Sequence, residues 1–260
     1  MNNRKIGVFD SGVGGLTVLQ HLTEKLPKET FIYIGDNLHS PYGEKSVEEL
    51  KQYTSAIISY FISQDVKMVI LACNTTSSTV LGYLRKRFSD LPIIGVVDAT
   101  AAMVRDGGCH RLAIMATPAT IASRAYQTRL GEDKSIGISC PKLVPYIENG
   151  VEKKLIIDEL KQLLDPWMAQ CDGIVLGCTH YPILTPEIEM LYPDKVLYSS
   201  SIAVADEVVN YLQMHHMLAS QEPGVQQVYT TGDLQSFIKS SHTFFNDPRF
   251  EFLYLDLKVA

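Results

Sequence analysis

Two cysteines in this 260-residue chain stand in nearly the same setting. In Ile174-Val175-Leu176-Gly177-Cys178-Thr179-His180-Tyr181-Pro182 an apolar run stops at a glycine, and a thiol, a hydroxyl and an imidazole follow at once. Val69-Ile70-Leu71-Ala72-Cys73-Asn74-Thr75-Thr76 has the same grammar of apolar strand, small residue, cysteine and polar cluster. The carboxyl end of a strand is where an open α/β sheet delivers reactive groups to a crevice. A lone cysteine at such a place is usually an inert small hydrophobe, but two in matching contexts point to paired chemistry. Thiols on opposite walls of one cleft suit a reaction that takes a proton from one face of a carbon and returns one to the other. Each thiol needs its pKa moved from about 8.5, which a helix N-terminus and a neighbouring imidazole supply. His180 reads as functional rather than as a satisfied core histidine, because it follows Cys178 and precedes Tyr181-Pro182. Zinc is disfavoured, since Cys178-Thr179-His180 is too tight for a usual chelate and no second cluster accompanies it.

The setting recurs at a nearly fixed interval. Cys73 and Cys178 lie 105 positions apart, and Pro41-Tyr42-x-Glu44 lies 104 positions before Pro145-Tyr146-x-Glu148. Lys5 to Gly15 overlays Arg111 to Ile121 with an offset of 106, which places Ser11 on Thr117. A small solenoid would repeat every 20 to 50 residues or so. The spacing instead predicts two similar, doubly wound, mostly parallel α/β lobes, related by a pseudo-twofold axis, with the site between them. Residues 1–97 plus 207–260 are expected to form the lobe carrying Asp10 and Cys73, and residues 98–206 the lobe carrying Glu148, Cys178 and His180.

The elements that must hold these groups alternate between strand and helix, the signature of βα units. Lys5 to Asp10 reads as a strand, and the glycine-rich corner Ser11 to Gly15 leads into a helix near Leu16. That corner favours an anion but lacks both the third glycine of a dinucleotide fingerprint and a P-loop lysine. Further strands are predicted at Thr30 to Ile34, up to Cys73, and over Pro92 to Val97, with a helix over Ser46 to Ser63 and another from Cys73 through Arg87. In the second half, strands are predicted over Arg111 to Met115, Ile136 to Ser139, ahead of Cys178, and over Lys195 to Tyr198. Helices are predicted over Thr117 to Leu130, Glu152 to Leu164 and Pro186 to Leu191, and from Ser201. Strand-like runs at Gln227 to Thr230 and Phe250 to Leu255 flank a last helix near Asp233 to Ser240.

Bulk properties narrow the partners. The chain is 46% hydrophobic and 20% charged, with a formal charge of −6, so a large basic surface for nucleic acid is not expected. No stretch approaches the roughly 18 apolar residues of a membrane span, and the run after Lys5 is too short for a signal-peptide core. Five scattered cysteines without a CxxC pair argue for reduced thiols. The cytoplasm is the expected location.

Phe9-Asp10-Ser11-Gly12-Val13-Gly14-Gly15-Leu16, Asp36 with Pro41-Tyr42-Gly43, Ala72-Cys73-Asn74-Thr75, Gly177-Cys178-Thr179-His180-Tyr181-Pro182, and Thr230-Thr231-Gly232-Asp233 with Phe237 together make a specific set. With them the chain resembles the cofactor-independent glutamate racemases over essentially its full length. The resemblance implies that Cys73 and Cys178 exchange protons with the α-carbon of glutamate, Cys73 acting on the D-enantiomer and Cys178 on the L-enantiomer. It implies that Asp10 assists Cys73 and His180 assists Cys178, with Glu148 a further acidic member. It further implies that Asp10, Ser11, Pro41, Tyr42, Gly43, Asn74, Thr75, Thr117, Thr120, Thr179 and His180 bind substrate. No cofactor and no metal are implied, the product would feed peptidoglycan synthesis, and a homodimer is the expected assembly. The chemistry agrees: without pyridoxal, carbanionic character must be stabilised by preorganised donors, and hydroxyls and backbone N–H groups serve that purpose. One departure is Tyr198-Ser199-Ser200-Ser201, where the family commonly has an aspartate; it bears on the local loop more than on the thiols.

Two other classes fit parts of the pattern. A related two-thiol enzyme would act on aspartate, hydantoins or a malonate, but would be expected to alter the carboxylate-binding loops or keep one cysteine. A non-catalytic two-lobed amino-acid-binding protein would explain the duplication and leave the thiols unexplained. A thiol hydrolase built on Cys178 and His180 would have no use for Cys73.

Overall fold

The computed structural model describes residues 1–257. Its described strands are β1 (Ile6–Asp10), β2 (Phe31–Gly35), β3 (Met68–Leu71), β4 (Ile93–Gly95), β5 (Leu112–Ala116), β6 (Ser135–Ser139), β7 (Gly173–Gly177), β8 (Val196–Ser199), β9 (Gln226–Thr230) and β10 (Phe250–Tyr254). They form a six-stranded sheet in the order β10-β9-β2-β1-β3-β4 and a four-stranded sheet in the order β6-β5-β7-β8. Every pairing is parallel. β1, β2, β3, β5 and β7 are buried along their whole length, as expected of strands covered on both faces by helices.

The repeat is written into the topology. Shifting β1 by 106 positions reproduces β5, and the quartets β2-β1-β3-β4 and β6-β5-β7-β8 share one order, with the chain's tail adding β9 and β10 at the β2 edge. Both cysteines therefore leave the equivalent strand, Cys73 just past β3 and Cys178 just past β7.

Several helices differ from expectation for local reasons. The predicted strand over Pro92 to Val97 stops at Gly95, and Val96–Gly107 is a helix whose buried face includes Val97, Ala101 and Val104. The single helix expected over Thr117 to Leu130 is two, Pro118–Ala122 and Ala125–Leu130, because Arg124 takes a left-handed φ of 54°. The helix after Cys73 likewise divides at Val80 into Asn74–Thr79 and Leu81–Arg87. Pro145-Tyr146-x-Glu148 lies in a short helix, Leu143–Glu148, whereas Tyr42–Glu44 is a single 3-10 turn. The expected lobe boundaries at 97/98 and 206/207 fall inside the helices Val96–Gly107 and Ser200–Met214, and positions 258–260 of the first lobe lie outside the described residues.

Where the sequence carries explicit signals, the structure follows them. Ser46 opens the helix Val47–Ser63 with a capping box: its hydroxyl accepts from the Glu49 N–H, and the Glu49 carboxylate accepts from the Ser46 N–H. At the opposite end of the first sheet from the cysteine, buried Lys67 donates to Glu29 Oε2 at 2.6 Å and to the carbonyls of Asn2 and Met217, both at 2.7 Å. This ammonium ties the chain's start, the strand β3 and the segment after Ser200–Met214 together. Burial lowers its pKa and the Glu29 carboxylate opposes that.

Candidate active site

Cys73 and Cys178 line one cavity of about 500 Å³. Ser11, Pro41, Tyr42, Gly43, Asn74, Thr75, Thr117, Glu148, Thr179 and His180 share its wall, while Asp10 and Thr120 lie just behind it, fully buried. All fourteen residues singled out from the sequence are thus brought to the cavity or directly against its lining.

The surroundings of the two thiols differ. Cys73 precedes the helix Asn74–Thr79, and its sulfur is 3.7 Å from Ser11 Oγ. Burial, joined by the charge of Asp10, pushes this thiol up to about 11, against hydrogen bonds from Thr76 and Ser11. Asp10 Oδ2 accepts from the N–H groups of Gly12 and Gly15 at 3.1 and 3.0 Å. Its pKa is raised by burial, which outweighs the positive charge of His180 and those backbone donors. The glycine corner after β1 thus holds a carboxylate of the protein itself at the helix start.

Cys178 Sγ faces His180 Nδ1 at 3.9 Å, and Nε2 of the same ring meets Glu148 Oε1 at 2.8 Å. Burial would discharge the imidazole, but the hydrogen bonds and charges of Cys178 and Glu148 prevail and push it up to about 10. At neutral pH an imidazolium therefore stands against the Cys178 sulfur. The ring fits because residue 14 is glycine: a Cβ there would lie 2.4 Å from His180 Nδ1 and 2.5 Å from Thr179 Oγ1. Phe244, from the tail, packs edge-on against the His180 ring at 5.3 Å.

Hydroxyls and an amide bridge the two walls. Thr75 Oγ1 lies 3.0 Å from Thr117 Oγ1, which in turn lies 3.0 Å from Thr120 Oγ1. Thr179 Oγ1 reaches Asp10 Oδ1 at 3.5 Å. The Tyr42 phenol is already committed, donating to Asp36 Oδ2 at 2.6 Å, and the Thr231 hydroxyl donates to Oδ1 of the same buried carboxylate at 2.6 Å. What the Pro41-Tyr42-Gly43 turn offers the cavity is therefore its backbone, whose first N–H groups are those a 3-10 turn leaves unpaired. The serine segment that departs from the family pattern turns out to touch the Cys73 side, since Asn74 Nδ2 donates to Ser200 Oγ at 3.3 Å. Sequence reasoning passed over Tyr126, whose hydroxyl donates to Asn74 Oδ1 at 2.7 Å. It also left out Cys140, which lines the cavity with its sulfur turned to the Ile138 carbonyl. No group of His, Cys, Asp and Glu suited to a metal ion occurs among the described residues.

The Asp/Glu/Hydantoin racemase family model matches residues 6–206, which include both cysteine motifs. The chain belongs to this family. It is 37% identical to the glutamate racemase of Oceanobacillus iheyensis over 96% of this chain and 95% of that one. Among solved structures, a glutamate racemase isoform from Bacillus anthracis superposes with a TM-score of 0.91 at 33% identity over the whole of both chains. The Francisella tularensis glutamate racemase, solved in complex with D-glutamate, gives a TM-score of 0.89 at 29% identity over 99% of each chain. The shared architecture is two lobes of mixed α/β structure with parallel sheets.

Proposed function

We propose that this member of the racemase family is a glutamate racemase that interconverts L- and D-glutamate with Cys73 and Cys178 as its two bases. The observation that carries the reading is that two equivalent strand ends bring their thiols to one cavity. One thiolate takes the α-proton, the other thiol gives its proton to the opposite face, and the two protonation states are exchanged after each turnover. Cys178 acts on L-glutamate and Cys73 on D-glutamate. His180, itself held by Glu148, supports the charge on Cys178, and Asp10 sustains the basicity of Cys73. Ser11, Asn74, Thr75, Thr117 and Thr179, with the backbone of Tyr42 and Gly43, supply donors for the two carboxylates, and Thr120 backs Thr117.

Relatives named as glutamate racemases over nearly the full chain favour glutamate over aspartate or hydantoins. No described helix is long and apolar enough to cross a membrane. We place the enzyme in the cytoplasm, supplying D-glutamate for peptidoglycan, as a homodimer in which each chain divides into two lobes near residues 97 and 206. The test is L-glutamate in D2O without added pyridoxal phosphate or metal. Deuterium should enter the α-carbon as D-glutamate appears, whereas turnover of aspartate with glutamate left untouched would overturn the reading.

A further inference from the structure

Tyr126 meets both cysteine motifs. It is 1% exposed, in the helix Ala125–Leu130, and its ring packs so closely on the end of β7 that a Cβ at Gly177, the residue before Cys178, would lie 3.2 Å from Cε2. Its hydroxyl reaches to the other motif and donates to Asn74 Oδ1 at 2.7 Å, beside Cys73. A primary amide offers two N–H donors and one carbonyl oxygen. At Asn74 the oxygen is taken by Tyr126 and one N–H by Ser200 Oγ at 3.3 Å, leaving the second N–H without a partner among the described residues, on a side chain that lines the cavity.

We infer that Tyr126 is a positioning residue for the reaction: with Ser200 it fixes the Asn74 amide so that its remaining N–H points to a carboxylate of the substrate. This rests on the glutamate racemase reading. An unheld amide turns about its last torsion and presents oxygen as readily as nitrogen, and an oxygen facing a carboxylate repels it. The tyrosine supplies the donor that makes the wrong orientation costly, because a buried phenol needs an acceptor. Loss of the oriented N–H weakens the hold on that carboxylate, so KM rises; Tyr126 touches neither thiol, so the groups that move the proton stay in place and kcat changes less.

The experiment measures steady-state racemisation in both directions with Tyr126→Phe, which keeps the ring on Gly177, and with Ser200→Ala, which releases the amide from its other side. Tyr126→Phe is expected to raise KM for both enantiomers about five- to tenfold with kcat within about threefold, as loss of one hydrogen bond to an oriented amide requires. Ser200→Ala should raise it less. Combined with Asn74→Ala, neither change should add to the Asn74→Ala loss, because each acts through that amide. An unaltered KM in both single variants, or losses that add to Asn74→Ala, overturns the inference while the racemase reading stands. Absence of glutamate racemisation by the unmodified protein instead removes the reading on which it rests.

Discussion

Thr179, the residue after Cys178, reaches with its hydroxyl to Asp10 Oδ1 at 3.5 Å. Asp10 ends β1, next to the strand that delivers Cys73, so the carboxylate assigned to one thiol is in contact with the motif of the other. The charge of His180 also acts on Asp10, and the charge of Asp10 on Cys73. The two half-sites thus share a single electrostatic network, and a change on one side should be felt on both.

Replacing either thiol tests the two-base reading. Cys73→Ser and Cys178→Ser should each lower racemisation by about a thousandfold or more, since a serine hydroxyl is a far poorer base. Glutamate should still protect each variant against thermal unfolding, because the remaining donors are intact. Near-normal racemisation by either single variant would sink the reading.

Gly14 sets how closely the His180 ring can approach. Gly14→Ala places a methyl 2.4 Å from the ring, so His180 or the corner must move. The expected result is a loss of about 1–3 kcal/mol in urea unfolding, the usual size of an overpacked core, with a fall in kcat in both directions. An alanine variant of full activity would mean that the ring position does not matter.

The imidazole makes activity and stability depend on pH. The native His180 pKa, about 10, lies above its ordinary value of 6.5, so the proton stabilises the fold fully below about 6.5 and the contribution fades as pH rises towards 10. Glu148→Gln removes one of the two side chains that hold this proton. The alkaline limb of kcat/KM for L-glutamate should then move down by about one pH unit. A profile unchanged by the substitution would separate Glu148 from the Cys178 side.

Lys67 offers a contrast remote from the cavity. Lys67→Met leaves the Glu29 carboxylate buried without its ammonium partner, and breaking such a pair typically costs about 3–5 kcal/mol. Urea unfolding should show that loss, while kcat and KM of the folded fraction stay as in the parent. A shift in KM would tie this clamp to the site.

What could be read in advance was whatever a motif states outright. The strand ends at Cys73 and Cys178, the helix beginning near Ser46 and the offset of Ser11 from Thr117 are all patterns of the sequence itself, and each has its counterpart in the folded chain. The helix Val96–Gly107 was hidden because Val96 and Val97 read as strand, and its packing against Ser200–Met214 is a tertiary preference that outweighs β-branching. The break at Arg124 carries no glycine or proline to announce it. No helix is predicted around Pro145, yet the residue stands in the first turn of one, where a missing N–H costs little. Tyr126 gave no signal, because its partner Asn74 lies 52 positions away and only the folded chain brings them together.

The two sheets differ in how the chain supplies them. The strands β5 to β8 come from one unbroken stretch between Leu112 and Ser199, whereas the other sheet waits for β9 and β10 from the far end. During synthesis, the wall that carries Cys178 has all its strands well before the ribosome reaches Gln226. The wall that carries Cys73 has β2 as an open edge until then, and an unpaired edge invites wrong partners. A chain stopped short of β9 would therefore carry both thiols and still expose that edge, so premature termination should produce aggregates rather than a weakened enzyme.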